Sequence, residues 1–510
     1  MDLQACAVVL LYMISILAAL IGALYLYTSW NHSIFNKMGI PGPSTTLMGA
    51  FTDYKEKGII ETDLKLVAEF GRLVGIFHAR EPVLLISDPD MIKQICVKEF
   101  SNFTNRKNNG WPGRVLSHAV SALEDDHWKH ARSVLSPTFS SGKMRNIVPL
   151  IQHCLDHLLE AVKKQGENGK SIEVRKIVEC FTMDTIAMTQ FGMDVDPHNN
   201  PEAGFVKNAK TAMSYVTSPI LMLCALFPFM YYFFRLFNIS PMNNGSQAFF
   251  YMAVSSAIKE RTKENKKRTD LLQLMLDAHK ENPVWEDDLD PDSKLEYNVF
   301  KGKGFTEEEI LANSLVFMLA GYDTTSSLLT FACHSLAVHP ACQSRLREEI
   351  SSNLGQAKPT YDNVFGLKYL DCVVNETLRM YPPAARFSRM ATEAITIKGV
   401  TIPAGMSVHF PLYAIHHDPE FWTDPETFNP DRFDRETRTW PAYAFVPFGA
   451  GPRNCVGMRL ALLEAKMALV ALIQHFNIEA APDTEVKPKL EKGGFIRPLN
   501  PLYLKFVARE

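Results

Sequence analysis

The sequence reads as a mainly α-helical protein with small β-sheets, standing behind an N-terminal transmembrane helix. Three observations carry that reading. The chain opens on an uncharged apolar run, residues 5–27, broken only by Ser15. Helical apolar spacing then recurs in long stretches, the clearest of them opened by a capping box at Thr306 and Glu309. Strand-like alternation of β-branched and apolar residues is confined to short segments. Composition agrees: of 510 residues, 46% are hydrophobic and 21% charged, which excludes wholesale disorder. A net charge of −3 argues against a nucleic-acid partner. The nine cysteines are an odd number with no Cys-x-x-Cys, which argues against a disulfide framework or a zinc ribbon.

Taken in order, residues 5–27 span about 34 Å as a helix, enough for the ~30 Å hydrocarbon core. The apolar region of a cleaved signal is shorter and follows basic residues, whereas here the only early charge is Asp2 and the first basic side chain is Lys37. The positive-inside rule then puts everything after the run in the cytosol. Residues 1–30 therefore read as an anchor and 31–50 as a proline-rich linker, stiffened by Pro41-Gly42-Pro43. Residues 51–510 are the body of the protein. Within it, residues 73–79 and 82–88 form a hairpin, and 120–165 and 171–192 are helical. Residues 213–237 are apolar but interrupted by Pro219, Pro228 and Arg235, which suits a membrane-dipping element better than a second span. Residues 255–280 form a charged amphipathic helix. The helix opened at Thr306 runs to about Val338, another covers 363–380, and strands follow at 395–403 and 406–411. Residues 418–433 make an ordered loop, and a last helix covers 458–475.

One cysteine has distinctive neighbours. Phe448-Gly449-Ala450-Gly451-Pro452-Arg453-Asn454-Cys455-Val456-Gly457 combines a glycine-rich turn with Arg453 and a helix beginning just after Cys455. The positive end of that helix favours a thiolate at Cys455. Arg453 supplies a cation for a carboxylate. A thiolate bound to haem iron promotes O–O cleavage. The segment resembles the haem-binding signature of the cytochrome P450 superfamily, Phe-x-x-Gly-x-Arg-x-Cys-x-Gly, matching at Phe448, Gly451, Arg453, Cys455 and Gly457.

Further motifs of that superfamily stand in order. Glu376-Thr377-Leu378-Arg379 matches Glu-x-x-Arg, and Pro430-Asp431-Arg432-Phe433 resembles Pro-Glu-Arg-Phe. The resemblance implies a buried network of Glu376, Arg379 and Arg432. Ala320-Gly321-Tyr322-Asp323-Thr324-Thr325 matches the oxygen-activation motif. Its glycine and threonines oppose helix propensity, and a threonine hydroxyl bonding a backbone carbonyl would open the helix for O₂ and water. Thr324 then acts as proton donor, with Asp323 relaying protons through water. Trp128 and Arg132 match Trp-x-x-x-Arg, two donors at i and i+4 for a haem propionate. Resemblance to the microsomal members adds Arg106 and Arg389. Phe317, Ala320, Ala384, Ala385 and Phe495 are expected to line the substrate pocket, and the pair His416-His417 to be structural.

The resemblance covers nearly the whole chain and is strongest to the microsomal clan holding the family-three drug oxidases and thromboxane synthase. It implies the P450 fold, haem b with an axial thiolate, and insertion of one atom of O₂ into a lipophilic substrate such as a steroid, fatty acid or xenobiotic. Electrons would come from NADPH through a diflavin reductase, with cytochrome b5 as a second donor and the endoplasmic reticulum membrane as the location. Lys129, Lys143, Arg145 and Lys466 would help dock the reductase. The alternative is a haem-thiolate isomerase acting on a lipid endoperoxide. The pair Asp323-Thr324 favours the monooxygenase, because an isomerase needs no protons delivered to O₂.

Overall fold

The computed structural model describes residues 3–44, 48–106, 116–213, 218–237, 239–264, 270–281 and 305–509. Its axis is the helix Glu307–Val338, nearly all of whose residues are buried. The start is set by chemistry legible in the sequence. The Thr306 hydroxyl accepts from the Glu309 amide at 3.1 Å, and the Glu309 carboxylate accepts from the Thr306 amide at 2.9 Å. Around this helix pack Val174–Phe191, Lys368–Met380 and Met458–His475. The contacts are largely aliphatic and aromatic, as in the stacked pair Phe331 and Tyr381 with ring centroids 4.1 Å apart.

Three sheets flank the helices. Strands β1 (Leu73–His78) and β2 (Glu81–Ile86) form the expected antiparallel hairpin. The strand β3 (Ser171–Glu173) pairs with β9 (Tyr503–Ala508), which also pairs with β8 (Phe476–Ala480). The first sheet is completed by β7 (Ser407–Pro411), parallel to β2, and β4 (Arg386–Met390), antiparallel to β7, giving the order β1-β2-β7-β4. The remaining pair is β5 (Ile395–Ile397) with β6 (Val400–Ile402).

Several expected elements divide further. The stretch 120–165 is two helices, Asp125–Leu135 and Ser141–Gln165, separated by a 3₁₀ turn at Ser136-Pro137, where proline lacks the amide the helix needs. Residues 363–380 fall in Tyr361–Gly366 and Lys368–Met380. Residues 395–403 form a hairpin, not one strand, because Lys398 and Gly399 both take positive φ, 48° and 79°. The helices Asn244–Glu264 and Leu271–Glu281 account for the described part of 255–280, and residues 265–269 lie outside the described residues. Ile59–Phe70 and Pro340–Asn353 are helices that periodicity did not single out.

The apolar helix Leu3–Ser29 shows its hydrophobic side chains to the outside, whereas the Glu307–Val338 helix, also long and apolar, is core. The linker does not hang free. Phe35 is buried against Phe77, with ring centroids 5.0 Å apart, and the Gly75 amide donates to the Pro41 carbonyl at 2.8 Å. Residues 214–217, within the expected dipping segment, lie outside the described residues. The rest forms Pro219–Leu226 and Met230–Leu236, which expose Phe229, Tyr232, Phe233, Leu236 and Phe237. Phe227 stacks on Tyr27 at 5.9 Å, so this patch adjoins the end of the N-terminal helix.

Candidate active site: a ring of arginines around Cys455

The loop carrying Cys455 turns through two left-handed glycines, Gly449 at φ 75° and Gly451 at φ 73°. A Cβ at Gly451 would collide with the Cys96 carbonyl, so only glycine lets this loop lie on that backbone. The Cys455 amide donates to the Phe448 carbonyl at 2.9 Å and closes the turn. Helix Met458–His475 begins just beyond, capped by Gly457. Of the eight described cysteines only Cys455 is exposed. Yet burial is what pushes its thiol up, against the Gly457 and Met458 amides, Arg132 and Arg106, which pull it down. A thiol that is both accessible and desolvated faces an internal void. Burial wins over the helix end, contrary to the expectation of a ready thiolate in the bare protein.

Arg106 and Arg132 stand close enough to pull the Cys455 thiol down, Arg389 and Arg453 adjoin Arg106, and every described hydrogen bond of these four guanidinium groups runs to an uncharged oxygen. Arg106 donates to the Arg453 carbonyl at 3.3 Å. Arg132 donates to the Asn454 carbonyl at 2.9 Å and its side-chain oxygen at 2.8 Å. Arg389 donates to the carbonyls of Ser388 and Ala450 at 2.8 and 3.0 Å. Arg453, expected to pair a carboxylate, spends both terminal nitrogens on the carbonyls of Thr104 and Leu123, at 2.7 and 2.6 Å. The Nε atoms of Arg106, Arg389 and Arg453 are buried without a partner. Burial and neighbouring arginines lower Arg453 to about 8 and Arg106 to about 10. Glu124 and Asp125 lie within electrostatic reach of Arg453, but no described hydrogen bond joins either to the four arginines, and crowded buried cations without a bonded carboxylate call for an anion. The two propionates of haem b meet that demand, and the accessible sulfur suits its iron, so the residues present fit this group. Trp128 lies beneath Arg453, 4.9 Å from guanidinium to ring centroid, and edge-on to Phe100.

The long helix presents its own face to a void. Ala320 is exposed in the middle of an otherwise buried helix, and Val316, Gly321 and Thr324 beside it are partly accessible. The Thr324 hydroxyl donates to the Ala320 carbonyl at 2.7 Å, and the helix stays continuous through the motif instead of opening. A Cβ at Gly321 would come within 2.8 Å of the Ile186 terminal methyl, which would have to shift. Phe317 is turned aside, buried edge-on to Phe139 with centroids 5.6 Å apart. Ala384 pairs with Phe495 in an isolated β-bridge, and Ala385, buried, donates its amide to the Gly494 carbonyl at 2.8 Å. The Ser327 hydroxyl donates to the Ile496 carbonyl at 2.6 Å, which brings this loop to the helix one turn beyond Thr324.

Asp323 points elsewhere. Its carboxylate is buried and accepts from Arg497 at 2.8 and 3.3 Å, with Arg175 at 3.5 Å. These two arginines were not legible in the sequence, since no motif surrounds them and only the fold brings them to Asp323. Elsewhere, Glu376 and Arg379 are fully buried and paired through two bonds of 2.7 and 2.8 Å, and Arg432 Nε reaches Glu376 at 3.3 Å. His416 Nε2 accepts from the Val446 amide at 3.2 Å, and His417 Nδ1 donates to the Tyr413 carbonyl at 2.9 Å. Lys466 corrects the docking expectation: it is buried, paired with Asp371 at 2.8 Å and set over the Phe365 ring.

The family model described as Cytochrome P450 matches residues 40–506. The chain belongs to the cytochrome P450 family. Among its relatives, cytochrome P450 3A6 of Oryctolagus cuniculus is 40% identical over 97% of each chain. Cytochrome P450 3A29 of Sus scrofa and cytochrome P450 3A5 of Homo sapiens are each 38% identical over 97% of this chain and 96% of their own. This P450 is a haem-thiolate monooxygenase, an oxidoreductase that takes its electrons from a reductase and acts on lipophilic small molecules. The endoperoxide-isomerase alternative gains no support from these relatives.

Proposed function

We propose that this P450 hydroxylates lipophilic substrates of the steroid, fatty-acid or xenobiotic class at the void bounded by Cys455 and the long helix. The observation that carries the reading is the accessible sulfur of Cys455 beside a cluster of four arginines whose described hydrogen bonds reach no carboxylate. Cys455 would hold the haem iron through its thiolate. Arg106, Arg132, Arg389 and Arg453, with the Trp128 indole, hold the propionates, and Phe448 packs at the cysteine side. When bound, the haem supplies activation of O₂ by two electrons.

The protein's own residues supply the rest. Ala320 leaves room for substrate on the exposed helix face, and Ala384 and Phe495 shape the neighbouring wall. The Thr324 hydroxyl, held by the Ala320 carbonyl, offers its oxygen as a proton relay at that face. Asp323 feeds the relay only when Arg497 and Arg175 release it, since both pair its carboxylate. Glu376, Arg379 and Arg432 lock the core on the cysteine side.

Residues 1–30 anchor the body in the endoplasmic reticulum membrane in a single pass, 31–50 dock the chain onto β1, and 51–510 form the cytosolic catalytic domain. The exposed aromatic patch at residues 227–237 dips into the same membrane. The electron donors are a diflavin NADPH reductase and cytochrome b5.

The test is product and hydrogen peroxide formed per NADPH by the reconstituted enzyme. Thr324→Ala should keep haem, substrate binding and reduction but divert electrons to hydrogen peroxide. A ~10²-fold loss of product corresponds to about 2.7 kcal/mol in the barrier. Unchanged coupling in the variant would remove Thr324 from the relay, and full turnover without reductase would overturn the monooxygenase assignment.

A further inference from the structure

A second cluster of donor side chains lies outside the site described above. The helix Ser141–Gln165 carries His153 and His157 one turn apart on one face, their ring centroids 4.5 Å apart. The chain returns to this face just after the helix Val174–Phe191 and brings Asp194 with it. One ring nitrogen of each histidine and a carboxylate oxygen of Asp194 lie within 4.8 Å of one another.

What separates this group from a chance surface pair is the support behind His157. Its Nδ1 stands 2.8 Å from Oδ2 of Asp184, a fully buried carboxylate whose Oδ1 accepts the Asp196 amide at 3.2 Å. A carboxylate can only accept, so Nδ1 donates, and it is Nε2 that would offer its lone pair to a cation once the ring is neutral. That carboxylate–histidine arrangement is the one that orients metal-bound imidazoles. Close behind the cluster, the buried Nε2 of His198 has no hydrogen-bond partner, with Asp184, Asp196 and His157 as its electrostatic neighbours. The other two donors are adjustable. His153 Nε2 and Asp194 Oδ2 share one proton at 3.0 Å, and both side chains are about half exposed.

We propose that His153, His157 and Asp194 form a binding site for a divalent cation of the zinc class, completed by water. Two imidazoles and one carboxylate suit zinc and disfavour calcium and magnesium, which take oxygen ligands. Tetrahedral ligands at about 2.0–2.2 Å from zinc sit about 3.4 Å apart, so the two half-exposed side chains close the site by small rotations while His157 stays fixed. The cation replaces the proton shared by His153 and Asp194. It ties the Ser141–Gln165 helix to the loop after Val174–Phe191. That second helix bears Thr182, which donates to the Tyr322 carbonyl at 3.0 Å, and Arg175, which meets Asp323. The ion thereby braces the helix on which the oxygen-activation motif rests.

The experiment uses the tag-free, full-length haem protein in detergent, dialysed against zinc chloride at low micromolar concentration and then assayed for bound zinc and thermal unfolding. Magnesium chloride serves as the parallel probe. The wild type should retain one zinc ion per chain more than His153→Ala or Asp194→Asn, and only the wild type should gain melting temperature with zinc. Both exposed variants should keep the wild-type haem spectrum and zinc-free melting temperature, which separates lost binding from lost folding. Equal zinc retention in wild type and variants would overturn the site. So would the absence of a zinc-dependent rise in the wild type, or an equal rise with magnesium.

Discussion

Removing Arg379 should unseat the cysteine side of this P450 far more than removing Arg432, although both meet the same carboxylate. Glu376 accepts from Arg379 at 2.7 and 2.8 Å, from the Asn429 amide at 2.9 Å, and from Arg432 at 3.3 Å. Arg379 also donates to the His416 carbonyl at 2.9 Å and lies over Trp422. Arg379→Leu deletes both short bonds and leaves Glu376 buried with one amide and one long contact. Breaking a buried pair from one side costs about 3–5 kcal/mol. Arg432 is partly exposed and keeps its best bond, at 2.8 Å, for the Asp424 carbonyl. Its loss leaves the Glu376–Arg379 pair whole, so Arg432→Leu should cost about 1.5–3 kcal/mol, the value of hydrogen bonds to a charged group. Adding Glu376→Leu to Arg379→Leu removes the orphaned charge, so the double variant should lose less than the sum of the two singles. The assay is denaturant unfolding with haem release as the signal. Equal losses for the two arginine variants, or strict additivity in the double variant, would show that Glu376 does not depend on Arg379 to balance its buried charge.

Two further outcomes follow from the same geometry. Burial holds His417 down at about 3 and His416 well below its ordinary value. The native state therefore declines protons that the unfolded chain takes up as pH falls below about 6.5, so this stability is whole above that pH and drains away below it. Each histidine steepens the fall by up to about 1.4 kcal/mol per pH unit; His417→Leu should flatten it between pH 6.5 and 5, and an unaltered slope would contradict the burial argument. At the other end of the site, Arg497→Met should lower stability while keeping product per NADPH, because Asp323 remains to feed Thr324. Asp323→Asn should lower product per NADPH. The same loss of coupling in both would mean that Arg497 itself carries the proton.

Local and long-range features of the fold were unequally legible in the sequence. Local chemistry could be read directly: the Thr306 capping box, the glycines before Cys455, and the helical spacing of Glu376 and Arg379 act within a few residues. So could the β1–β2 hairpin, whose register follows from adjacent segments. What depended on long-range packing could not. Arg497 meets Asp323 across the fold, Phe317 packs edge-on against Phe139, and Lys466 withdraws from the surface to Asp371. The break at Pro137 and the hairpin at Lys398-Gly399 were present as local signals, but longer apolar patterns overrode them. The cluster at His153, His157 and Asp194 shows the limit most clearly: His-x-x-x-His was in plain view, while its carboxylates lie on a different helix and loop.

Whether Cys455 carries the iron is decided by one spectrum. The reduced full-length protein under carbon monoxide should show the long-wavelength Soret band of thiolate-ligated haem. Cys455→Ser should lose that band, whether or not haem is retained through the arginines. A Cys455→Ser protein that kept the long-wavelength band would contradict the account, because another residue would then hold the iron.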